Sequence, residues 1–191
     1  MIINRFFFLL LVIFMSHVSV YAQQLKFMGI PLCSDLSQYY DVLKAKRFKK
    51  SPIGTEYWKD GDFWKISSCS VHLFTSSEDD LSMKNKVTSL KINLPFSYFD
   101  IDLDTYKSML SDLVNDYAEI YGTGILTEKR HNLETNKDDL TAHIWNVSDG
   151  QIEMIVNWNA VWGVDITYTS SYVLNKRREA VKFRGAGKKD L

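Results

Sequence analysis

Charge of one sign is missing from this sequence. Lysine and arginine number 23, aspartate and glutamate 23, and the formal net charge is zero. That excludes the broadly basic surface of a nucleic-acid binder. Cysteine is scarce, with only Cys33 and Cys69, and none of the four histidines stands at metal-ligand spacing from another histidine or cysteine. No metal site is expected. There is no G-x-S-x-G elbow, and no glycine-rich loop follows a strand to open a helix. No cofactor and no catalytic residue is therefore assigned. Disorder is excluded too, because 46% hydrophobic against 24% charged residues is ordinary for a packed core.

Long hydrophobic runs are also lacking, with one exception at the start. Phe6–Met15 is unbroken and apolar, Arg5 precedes it, and Val20-Tyr21-Ala22 places small residues before Gln23. This is the pattern of a secretory signal peptide over residues 1–22. The run is shorter than the roughly 20 apolar residues a spanning helix needs. The expectation is an exported, periplasmic or extracellular protein that is not integral to a membrane after cleavage. In an oxidising compartment the two cysteines permit a bridge. A Cys33–Cys69 disulfide would pin a helix start to a strand. Two buried thiols acting as small hydrophobes fit the sequence as well.

What is present is a helix-and-strand alternation that runs through twice. Leu25–Ile30 reads as a strand. Leu36, Tyr39, Tyr40 and Leu43 mark one buried helix face, with Asp35 as N-cap and Gln38 placed to complete a capping box. Thr55–Lys59 and Asp62–Ile66 read as strands around an Asp60-Gly61 hairpin. Cys69, Val71 and Leu73 then alternate out of phase with Trp64 and Ile66, which requires a bulge or turn near Ser67-Ser68. Leu90, Ile92 and Leu94 alternate up to Pro95.

The second pass begins with a long helical stripe from Tyr106 to Tyr121, closed by Gly122. Strands follow at Ile125–His131, Leu140–Val147 and Ile152–Trp158, the last two joined through Asp149-Gly150, and then at Val164, Ile166 and Tyr168. The expected class is α+β: two helix-plus-antiparallel-meander units, residues 23–96 and 97–174, with the helices packed on sheet. Residues 175–191 are basic and weakly patterned, and are expected as a flexible tail.

Two groupings invite a functional reading. Asp100, Asp102 and Asp104 open like a calcium loop, but Thr105 and Ser111 stand where that loop needs glycine and glutamate. They read better as an acidic helix start. Five tryptophans are the one compositional excess. Trp158 shares phase with Ile152, Met154 and Val156 and is expected in the core. Trp145 lies out of phase with Leu140, Ala142 and Ile144 and is expected to be exposed. Trp58, Trp64 and Trp145 are the candidate ligand-binding residues, because an exposed aromatic on a sheet suits a glycan ring or a partner's apolar surface; the other reading is that these aromatics pack the two-layer core.

The segments FMGIPL, LKAKRF, DGDFWKISSCSVHLF, VTSLKINLP, EIYG, DGQIEMIV and VDITYT occur in that order. Their succession resembles a family of small secreted proteins of unknown function from bacteria of the Bacteroides group. The resemblance implies a fold similar to that of β-lactamase inhibitory protein, built from helix-plus-meander units. It implies no catalytic residue. Arg47 and Lys65 stand where the family usually has glycine. Cys69 matches a recurring family cysteine and Cys33 does not. The functional expectation is a non-enzymatic binding module for an unknown protein, envelope or glycan partner. The alternatives are a small exported hydrolase-like enzyme and a structural envelope factor.

Overall fold

The computed structural model describes residues 24–52, 56–76, 80–95, 101–132, 137–157 and 163–186. The expectations for the signal segment, for Asp100 and for Trp158 lie outside the described residues.

The chain opens with a small hairpin, β1 (Lys26–Phe27) and β2 (Ile30–Pro31). The sequence reads as one strand here. Met28 and Gly29 both adopt positive φ, 50° and 85°, and two left-handed residues in succession reverse the chain. Helix α1 (Leu36–Ala45) follows and buries Tyr39 and Leu43. Asp35 occupies the N-cap position but its side chain makes no cap bond. Asp35 is instead bridged to Lys86, and the Leu36 N–H donates to the Asn85 carbonyl at 2.8 Å. A neighbouring backbone thus replaces the expected capping box. Arg47 leaves the helix at φ 66°, the left-handed conformation that glycine favours after a helix end.

The first meander is β3 (Lys49–Lys50), β4 (Tyr57–Phe63), β5 (Ile66–Thr75) and β6 (Val87–Pro95). Helix α2 (Leu103–Tyr121) leads into the second: β7 (Ile125–Asn132), β8 (Lys137–Val147), β9 (Gly150–Asn157) and β10 (Gly163–Ser170). Asp102 caps α2, accepting from the Thr105 N–H at 2.7 Å. That is the acidic helix start, and Gly122 closes the helix at φ 78°. The fold is α+β, two helix-plus-antiparallel-meander units with helices packed on sheet, as the apolar periodicities require.

The two meanders join into one sheet of order β3-β4-β5-β6-β10-β9-β8-β7. The last strand of each unit therefore lies at the centre and the first at an edge. The seam is apolar on one side, with Leu90 opposite Tyr168, Ile92 opposite Ile166 and Leu94 opposite Val164. All six are buried, together with Val71, Ile152, Met154, Val156 and the α2 residues Tyr106, Leu110, Leu113 and Tyr117. Each such side chain contributes about 1.5–3 kcal/mol by leaving water.

The expected Asp60-Gly61 turn lies inside β4, and the hairpin reverses instead at Trp64-Lys65. Asp60 adopts φ 60°, and the register with β5 slips on both sides of Gly61. Gly61 is needed for close approach: a Cβ there would collide with the Phe48 ring. The phase change near Ser67-Ser68 is present, with Ser68 at φ 59° between buried Ile66 and Cys69.

The basic C-terminal segment, expected as a flexible tail from residue 175, is helical through Ala186 as α3 (Ser171–Ala186). Tyr172 anchors its first turn, donating to the Asp80 carboxylate at 2.6 Å and lying 3.1 Å from the Ser76 hydroxyl. Beyond that turn its described residues are exposed. Among the described residues no helix is long and apolar enough to cross a membrane.

Candidate functional site

Two of the three tryptophans proposed as binding residues belong to the core. Trp58 is 1% exposed and packs on Tyr40, with ring centroids 5.2 Å apart. Trp145 is 2% exposed and stands against Tyr117 at 5.3 Å. The phase argument had the right period and the wrong face. Trp145 pairs with Ile152, and His143 with Met154, so the odd-numbered set of β8 points at the helices. Ile144 is then on the opposite side. Trp64 is half-buried in the hairpin turn at φ 54°. Its indole N–H donates to Asp116 of α2 at 2.6 Å, and Lys65, 4.7 Å above the ring, pairs with Asp112 at 3.3 Å. Trp64 is a clasp between the two units, already engaged.

The cysteines are both free. Cys69 is buried in β5 and donates to the Ile66 carbonyl at 3.3 Å. Burial pushes its thiol up to about 11, so it stays protonated and unreactive at neutral pH. Cys33 is half-buried and fixed by its backbone, whose N–H donates to the Val87 carbonyl at 2.8 Å. Among the described residues no group of three His, Cys, Asp or Glu is placed to hold a metal. His143 stacks on Trp145 at 5.9 Å on the helix side, and burial lowers its pKa.

The other side of the sheet carries neither α1 nor α2. Residues directly opposed across antiparallel strands share a face. One row on this open face crosses seven strands: Tyr57, His72, Lys91, Thr167, Glu153, Ile144 and Ile125. A second row includes Ser70, Asn93, Asp165, Ile155 and Ala142. The centre is polar and satisfied. Lys91 pairs with Asp165 at 2.8 Å, and Asn93 donates to the same carboxylate at 2.9 Å. One flank is aliphatic, with Ile125 exposed and Ile144 and Ile155 half-buried.

The opposite flank is aromatic. His72 lies edge-to-face with Tyr57, centroids 6.1 Å apart at 84°. It faces Phe74 at 4.2 Å and 35°. Phe74 is two residues along the same strand and 40% exposed. Side chains two apart on a strand are rooted about 7 Å from each other. Rings whose centroids approach to 4.2 Å from that spacing lean together and face one another along the strand. One face of each ring is thereby covered by the other.

The alternation of Val71 and Leu73 in the sequence already puts His72 on the face opposite theirs. It does not reveal the ledge, because Tyr57 joins His72 only through the β4–β5 register. A cleft of about 320 Å³ lies between α3 and the end of β5 and β6, lined by Thr75, Thr88, Tyr172, Val173, Lys176 and Arg177. Its lysine is directed to Asp80 at 3.7 Å. No protein-family model, no curated protein and no solved structure matches the chain, so the functional reading rests on the geometry.

Proposed function

We propose that the chain is an exported, non-enzymatic interaction module that docks a protein partner on the open face of its sheet. The observation that carries this reading is the Tyr57–His72–Phe74 ledge, an aromatic strip on a face without α1 or α2. Aromatic side chains concentrate in the energetic centres of protein interfaces. The ring orientation favours protein over glycan. A sugar stacks on an exposed ring face, and the contact between His72 and Phe74 covers one face of each. The exposed Phe74 ring suits insertion into a partner's apolar pocket, with the Lys91–Asp165 pair and neighbouring Asn93 and Thr167 supplying polar complementarity.

The test is site-specific photocrosslinking of the full chain in the producing cell, from position 74 and, as control, from position 81. Leu81 is more exposed than Phe74, at 81%, and lies outside the ledge. A discrete protein adduct from position 74 alone is expected, and it should disappear when Tyr57→Ser is added. The same adducts from both positions, or retention on a glycan panel that depends on Tyr57 and Phe74, would overturn the reading.

A further inference from the structure

Position 49 meets position 59 across β3 and β4, and both are lysine. Like charges set directly opposite each other in an antiparallel pair destabilise it. Their neighbours are neutralised. Lys50 pairs with Glu56 at 2.8 Å and donates to the Tyr40 hydroxyl at 2.9 Å. Arg47 pairs with Asp62. Lys49 and Lys59 are both exposed, and neither makes an ion pair among the described residues. Asp60, the nearest acid along the chain, makes none either, although it lines one cleft with Arg47, Lys49 and Asp62.

The side on which these lysines stand follows from the register. Lys50 is opposite Trp58, whose indole is buried under α1, so Lys49 and Lys59 belong to the open face. Lys59 is also two residues beyond Tyr57 on β4 and shares its face. The lysine pair therefore continues the aromatic ledge outward to the sheet edge. On the inner side of the ledge the next cation, Lys91, is spent on Asp165. Lysine commonly guards an edge strand against pairing with another chain. That role accounts for Lys49 on β3 but not for Lys59, whose strand is already covered there.

We infer that the partner is an acidic protein segment whose carboxylates settle between Lys49 and Lys59 while its apolar residues meet Phe74 and Tyr57. This rests on the open face being the docking face and adds the partner's charge. A carboxylate bridging the two ammonium groups would turn their mutual repulsion into two attractions, so the cost is borne only by the free protein. Stability and binding should then respond to the same change with opposite signs.

The experiment titrates the full chain with an acetylated hexaglutamate peptide and follows backbone amide NMR shifts. Shifts are expected at Lys49 and Lys59, lost in the Lys49→Gln/Lys59→Gln double variant and kept in an Arg177→Gln/Arg178→Gln variant of α3. In parallel, Lys59→Glu should raise Tm by about 1–4 °C at low salt, and the gain should vanish near about 0.5 M salt, where exposed charges are screened. Perturbation centred on α3, equal perturbation by inorganic phosphate, or an unchanged Tm for Lys59→Glu would each overturn the inference. A position-74 adduct that survives Lys49→Gln/Lys59→Gln would defeat the inference and leave the docking face intact. Loss of that adduct in Tyr57→Ser with peptide binding retained would support both.

Discussion

The first and second units share one plan and carry different open faces. Each places a helix over an antiparallel meander, and each buries a large tryptophan on the strand next to the sheet edge, Trp58 on β4 and Trp145 on β8. A glycine sits close to each aromatic cluster. Gly61 leaves room for Phe48, and a Cβ at Gly124 would come within 2.7 Å of the Trp145 indole. On the open face the likeness ends. The first unit presents Tyr57, His72, Phe74, Lys49 and Lys59, and the second presents Ile125, Ile144 and Ile155. The covered face is held to one composition by packing. The open face is free of that demand, so its differences are where function is to be sought.

The units also hold one another. The β4–β5 turn of the first clasps α2 of the second through Trp64–Asp116 and Lys65–Asp112. The β8–β9 turn of the second clasps the leading segment of the first, where Asp149 accepts from the buried Leu25 N–H with both carboxylate oxygens, at 2.9 and 3.1 Å. Tyr121 adds a bond to the Lys26 carbonyl at 3.1 Å.

The largest expected effect tests whether the two cores are equal. Trp58→Ala and Trp145→Ala should each cost about 3–5 kcal/mol in urea unfolding, the usual cost of emptying a buried aromatic site. Neither should abolish the position-74 adduct in protein that remains folded. A loss confined to one variant would break the equivalence of the units.

The two clasps should rank next, and unequally. Asp149→Ala leaves the buried Leu25 N–H without its acceptor and should cost about 1–3 kcal/mol. Trp64→Phe keeps an aromatic ring but loses the half-exposed indole bond to Asp116 and part of the ring surface, and should cost about 0.5–1.5 kcal/mol. Equal losses in denaturant melts would mean that Leu25 finds another acceptor, and that the second unit's hold on the first is no stronger than the reverse.

The smallest effect concerns α3, which has no counterpart among the described α-helices. The Tyr172 hydroxyl, then Ser82, hold the Asp80 carboxyl at about 2, below its usual 3.8. A folded-state pKa below the unfolded one gives stability that is complete above about 4 and is lost as pH falls through about 2. Amide and ring NMR signals of Tyr172 should therefore move over that interval while those of Ile92 at the seam stay fixed. Asp80→Asn should remove the transition. Movement of both signals together would show global acid unfolding instead of release of α3.

How much was legible follows from which signals are local. The i, i+3, i+4, i+7 stripe of α1 and the stripe of α2 are properties of neighbouring residues, and both helices are where the periodicity puts them. So are the alternations of Leu90–Leu94 and Val164–Tyr168. The hairpin at Asp60-Gly61 failed because Gly61 serves Phe48, a contact across the chain that no turn statistic contains. The capping box failed for a similar reason, since Asn85 offered its carbonyl first. The helix through Ala186 was not seen because its first turn is held by Tyr172 and Asp80, 92 residues apart.

The candidate site divides along the same line. Period-two patterning tells which residues of a strand share a side, and sequence alone fixed that for His72 and for Trp145. It cannot tell which side is covered, because that depends on where the helices come to rest. Local periodicity therefore determined the class of fold, two helices and their meanders. The tertiary structure decided that Trp58 and Trp145 are core, and that Tyr57, His72 and Phe74 meet on the open face. It also decided that two lysines face each other beside them. The physical reason is that register between strands is set by long-range packing and pairing, whereas alternation within a strand is set by the backbone itself.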